Sequence, residues 1–83
     1  MIKFNKIQEN NKRMLALEHI NITGKHLDAY TDYPFYKLGD KPFNKAPVRP
    51  IRVISYDDNK YCQIIVNGIK EEIKAGYVYL NRR

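Results

Sequence analysis

IRVISYDDNKYCQIIVNGIKEEIK, residues 51–74, decides the fold. Ile51–Tyr56 is β-branched and aromatic, the composition that fits a pleated, half-buried surface. Asp57–Lys60 is a turn composition, because Asp and Asn bond their own backbone and tolerate left-handed angles. Tyr61–Val66 reads as a second strand. Asn67–Gly68 then supplies the strongest short hairpin signal, since both central residues of a type I′ turn need positive φ. Ile69 and Ile73 fit a strand or a helix, and a position directly after Asn-Gly favours the strand. The stretch therefore reads as a three-stranded antiparallel meander.

Outward from it, AGYVYL (75–80) places a Gly turn before an alternating Tyr/Val/Tyr/Leu segment, a short closing strand. On the other side, PFYKLGDKP (34–42) reads as one strand ending in a Gly-Asp turn. It is followed by a long connecting loop with prolines at 42, 47 and 50. In "FYKLGDKP", the hairpin at Asn67–Gly68 and "AGYVYL", the chain resembles the small Src-homology-three-like and Tudor-like barrels. The resemblance covers residues 34–80. It implies a mainly β fold: a small antiparallel β-barrel of about five to six short strands. It implies no activity, because small barrels host many unrelated functions. The chain also lacks the aromatic cage of Tudor domains, and the acidic loop and Trp of the peptide-binding domains.

Eighty-three residues make one small domain. The reading divides it into an N-terminal segment (1–33), a barrel-like core (34–80) and a tail (81–83). Within the first segment, residues 2–22 are a strand hairpin around ENNK (9–12) or a helix. KRMLALEH (12–19) has high helix propensity, and Asn10 or Asn11 could cap it. The balance of local signals leans to strand.

The net charge is +6, and its placement is uneven. Lys41, Lys45, Arg49 and Arg52 make residues 41–56 wholly basic, and Lys3, Lys6, Lys12, Arg13 and Lys25 outnumber Glu9 and Glu18 near the N-terminus. Clustered positive charge attracts phosphates or acidic proteins. No run has the length of a membrane span, and no apolar leader opens the chain. The expected setting is the cytoplasm, with no membrane contact. Richness in Lys, Asn, Ile and Tyr, all read from AT-rich codons, fits a bacterial, plasmid or phage gene.

Little in the chain suggests catalysis. His19 and His26 lie seven apart, a spacing that brings ligands together on neither a helix nor a strand, and Cys62 is the sole cysteine. No metal site is expected on that ligand count. Cys62 falls within a strand, where a free Cys is a small buried hydrophobe. Glu71 and Glu72 point to opposite faces of a strand. No Gly-rich phosphate loop is present. The expectation is a non-enzymatic protein without cofactors.

PVRPIR (47–52) fits the P-x-x-P-x-R pattern of a peptide ligand, but it runs directly into the strand at Ile51. Its prolines read instead as stiffening a loop that leads into that strand. The candidate site is therefore a surface. Lys41, Lys45, Arg49 and Arg52 would meet phosphates, and Tyr33, Tyr36 or Tyr56 would stack on bases. The expected function is a basic binding module for nucleic acid or a ribonucleoprotein. The alternative is a small adaptor or inhibitor, phage- or mobile-element-encoded, docking on an acidic host protein by the same loop or an exposed sheet edge.

Overall fold

The computed structural model describes residues 2–41 and 46–82. A 22-residue helix α1 (Ile2–Thr23) precedes four strands, β1 (Leu27–Thr31), β2 (Arg49–Tyr56), β3 (Tyr61–Val66) and β4 (Ile69–Lys74). They form one antiparallel sheet in the order β1-β2-β3-β4, and the sheet does not close on itself. The chain is thus a mainly β globule with one long helix.

The meander forms where the sequence places it. Asn67 and Gly68 both take positive φ, 49° and 78°, and Val66 faces Ile69 across the turn. The β2–β3 turn closes through Asp57, whose carboxylate accepts the Tyr61 N–H at 2.9 Å and whose carbonyl accepts the Lys60 N–H at 3.0 Å. Between Val53 and Ser55 the β2–β3 register shifts by one residue, a bulge at Ile54. Bulges bend a strand and add twist. Here it lets β2 pair with β1 along its first half and with β3 along its second.

Three segments differ from the sequence expectation. Residues 2–22 are helix, not the hairpin that local signals favour. Leu17 and Ile20 are buried, with Met14 half-buried one turn earlier, so positions 14, 17 and 20 form one apolar stripe against the sheet. That burial carries the helix through the polar ENNK run, which would break it in isolation. Gly24 ends it, with φ 71° and its N–H on the Ile20 carbonyl at 2.8 Å.

Residues 34–42 are not a strand in their described part. Tyr36–Leu38 is a single 3-10 turn, ended by Gly39 at φ 86°. The Asp40 carboxylate accepts the Phe35 N–H at 2.7 Å and ties the turn off before a strand can extend. The first strand is instead Leu27–Thr31, whose Leu, Ala and Thr turn inward. The short closing strand is reduced to a 3-10 turn, Ala75–Tyr77, followed by one bridge. There Tyr79 and Tyr30 exchange both backbone hydrogen bonds at 2.8 Å, on the side of β1 away from β2.

The core collects Leu17, Ile20, Ala29, Phe35, Ile51, Val53, Cys62, Ile64, Val66, Ile73, Ala75 and Val78 from the helix, all four strands, the second 3-10 turn and the residues flanking the two turns. Because Leu17 is fully buried in it, the helix belongs to the cooperative unit. Leu17→Ala should cost about 2–5 kcal/mol, most of the stability of a small domain. Urea unfolding followed by circular dichroism should show helix and sheet lost together at a lower midpoint. An unchanged midpoint would mean that the helix is only appended.

Candidate functional site

Two of the expected phosphate-binding cations are already engaged. Arg49 makes a two-pronged pair with Asp40, its two terminal nitrogens donating to the two carboxylate oxygens at 2.7 and 2.9 Å. Both side chains are largely shielded, at 15% and 12% exposure. The guanidinium also lies 5.9 Å from the Phe35 ring centroid. Such a fork-to-fork pair is among the strongest and most directional polar contacts. It closes the base of the segment between residues 40 and 49. Arg52 projects outward from β2 and lies 3.6 Å from Asp28, its cross-strand partner on β1. His26 approaches the same carboxylate at 3.6 Å. A cleft of about 340 Å³ beside them, also bordered by Tyr30 and Ile65, therefore carries an internally paired charge.

The remaining expected residues are dispersed. Lys41 is exposed, and Lys45 lies outside the described residues. Tyr36 is 87% exposed on its 3-10 turn. Tyr56 sits at the far end of β2 from Arg49, seven residues or roughly 23 Å along the strand. Its hydroxyl donates to the Met14 sulfur at 3.6 Å, and its carbonyl accepts the Asn21 side-chain amide at 2.7 Å. Burial raises the pKa of its phenol. Tyr56 is thus a helix-docking residue. Of the three tyrosines, Tyr33 borders a cleft that holds further rings.

That cleft lies at the 75–77 turn. Tyr33 packs edge-on against Tyr77, centroids 4.7 Å apart, and leans on Phe35 at 5.5 Å. Tyr33 and Tyr77, with Tyr61, Glu72, Ile73 and Lys74, line a space of about 250 Å³. A wider cleft of about 650 Å³ continues from it, sharing Tyr61, Lys74 and Tyr77 and adding Arg13, Met14 and Lys60. Among the described residues, no acidic side chain lines this wider cleft. Arg13 is anchored there, its guanidinium donating to the Val78 carbonyl at 3.2 Å and to the Asn10 side-chain oxygen. Lys60 and Lys74 take part in no ion pair among the described residues. In the narrower cleft, Glu72 accepts the Gln63 amide at 2.6 Å.

The sequence reading missed Tyr61, Tyr77, Lys60, Lys74 and Arg13. One signal was available. Tyr61 and Lys74 stand at the open end of the hairpin that Asn67–Gly68 closes, so counting outward from the turn pairs them across β3 and β4. Nothing local could have brought Tyr33 or Arg13 to the same place.

Cys62 is fully buried, and burial pushes its thiol up to about 11, which suppresses the nucleophilic thiolate. No group of three or more His, Cys, Asp or Glu among the described residues is placed to hold a metal. No described helix is long and apolar enough to cross a membrane.

The Asp40–Arg49 pair makes a pH prediction. Arg49 and the Phe35 N–H favour the Asp40 anion and lower its pKa from 3.8 to about 2. A folded-state value below the unfolded one stabilises the fold at higher pH. That contribution is complete above about pH 4 and fades as the pH falls toward 2. Urea midpoints should drop across this window. Asp40→Asn should be less stable at pH 7 and should lack this part of the drop. An identical pH profile in the variant would rule out the clamp.

No known family model matches the chain, and comparisons with curated proteins and with solved structures find no match either.

Proposed function

We propose that this chain is a non-enzymatic binding module for nucleic acid or a ribonucleoprotein, and that its phosphate-binding surface is the Arg13–Lys60–Lys74 cleft. The observation that carries this reading is the cleft's charge: among the described residues three cations line it, two of them in no ion pair, and no acidic side chain does. The basic segment from Lys41 to Arg52 adds to the surrounding positive field rather than forming the contact by itself. In that segment Arg49 serves the fold and Arg52 is shared with Asp28.

The backbone at Lys60 supports the reading. Its φ is 66°, in the left-handed region that an L-residue with a long side chain rarely adopts. Gly or Asn would fit this turn position with less strain. A strained position held by a cation at a cleft is the pattern of a residue kept for its contact. Lys60→Gly should therefore raise stability by about 1 kcal/mol while weakening nucleic-acid binding. A variant both more stable and equally tight would remove Lys60 from the site.

The fold reading accompanying this proposal is an incompletely closed barrel of the Src-homology-three-like type. The path of the described chain supports it: a first strand, a three-stranded meander, a 3-10 turn, and a return to the other side of the first strand. The module is proposed to act in the cytoplasm.

The direct test is the salt dependence of binding to a nucleic acid of mixed sequence. With one phosphate neutralised by each cation of the cleft, log affinity should fall with log salt at a slope of about −2 to −3. Lys60→Glu and Lys74→Glu should each weaken binding and make the slope shallower by about 0.7–0.9. Salt-independent binding, or full affinity in both variants, would overturn the proposal.

A protein partner is the second reading, favoured by the sheet edge. Among the strands β4 pairs only with β3, so its other edge offers backbone groups for strand addition. A complex that survives nuclease treatment would select this reading.

A further inference from the structure

We infer that the nucleic acid this cleft receives is single-stranded, with unpaired bases stacking on Tyr61 and Tyr77. The inference rests on the proposed nucleic-acid function and specifies its ligand.

Both rings border both clefts, so they stand between the cationic side and the ring-lined side. Tyr61 is 36% exposed and Tyr77 41%, enough to offer a ring face while the rest of each ring is supported. Tyr77 is braced by Tyr33 in an edge-on contact, which uses at most one of its faces. Tyr61 stands directly across the β3–β4 ladder from Lys74, so a ring and a cation are fixed side by side by sheet register. Lys60 immediately precedes Tyr61 at the mouth of the same strand.

Rings standing beside cations that form no ion pair among the described residues match a strand whose bases and phosphates alternate. Base–aromatic stacking tolerates any sequence, because every base has a π-face. In a duplex those faces are covered by neighbouring base pairs, and the exposed features are phosphates and groove edges. The narrow cleft, about 250 Å³, is smaller than the usual 300–1,000 Å³ of a drug-sized ligand site. It suits one inserted flat group and has no room for a double helix. Glu72 lies at its wall as an anion that accepts the Gln63 amide, so phosphates fall to the wider cleft and only the flat base to this one.

The test compares fluorescein-labelled oligothymidylate with a labelled oligo(dA)·oligo(dT) duplex of the same length, by anisotropy at fixed salt. The single strand should bind at least about tenfold more tightly. Tyr61→Ala should weaken its binding by about five- to a hundredfold, with Tyr61→Phe close to wild type. Because the chain has tyrosines and no Trp, stacking should also quench its intrinsic tyrosine emission on single-strand addition. Tyr61 is an exposed strand residue, so its variants test binding without removing core packing.

A duplex bound as tightly as the single strand, or a Tyr61→Ala variant of full affinity, would overturn this inference while leaving the phosphate surface intact. Binding of neither probe would instead remove the proposed function and this inference with it.

Discussion

The return of the chain to its own first strand is the constraint on which the rest depends. Tyr79 and Tyr30 exchange two backbone hydrogen bonds at 2.8 Å, and the Tyr79 hydroxyl donates to Asp32 at 3.0 Å. β1 is thereby paired on both sides, by β2 and by the end of the chain. To reach β1 from β4, the chain must turn sharply, and the 3-10 turn Ala75–Tyr77 does this while Ala75 and Val78 sink into the core. Tyr77, between those two anchors, is left half outside. It meets Tyr33 because Tyr33 leaves the end of β1 just beyond the same bridge. The cleft is thus a by-product of closing the fold.

Charge is partitioned by the same architecture. The net +6 does not lie where the basic run of sequence suggests. Arg49 is drawn inward by Asp40, and the pair locks the turn through which the chain leaves Phe35. Arg52 is answered by Asp28 across the sheet. Lys37 approaches Glu71 at 4.0 Å. Ion pairs between exposed groups contribute little stability, yet they still cancel local potential. Among the described residues, Lys60 and Lys74 take part in no such pair and stand beside rings. Distribution after pairing, rather than total charge, determines where an anion is drawn.

Legibility in the sequence followed the range of the interactions. Residues 51–74 were readable because a hairpin is decided by its own turn and by alternation within each strand, and Asn67–Gly68 supplied both cues. Helix α1 was not, because its polar ENNK run resembles a turn until Met14, Leu17 and Ile20 find the sheet. β1 was hidden because Asp28 and Ala29 are poor strand formers, and the strand exists through its two pairing partners. That Tyr33 lies beside other rings was legible from the local density of aromatics. Arg49 looked available because its partner Asp40 lies nine residues away in sequence, and Arg52 because Asp28 lies on another strand. Arg13 reaches the cleft only through a contact with Val78, sixty-five residues distant.

The central claim is that the 75–77 turn gathers a ring-and-cation cleft that is the binding surface. Amide chemical-shift mapping of the ¹⁵N-labelled protein during titration with oligothymidylate tests it most directly. The account predicts that the largest shifts fall on Lys60, Tyr61, Lys74 and Tyr77, while Arg52 and Ile65 on the outer sheet face stay still. Shifts confined to Lys41–Arg52, or spread evenly over the basic surface, would contradict it.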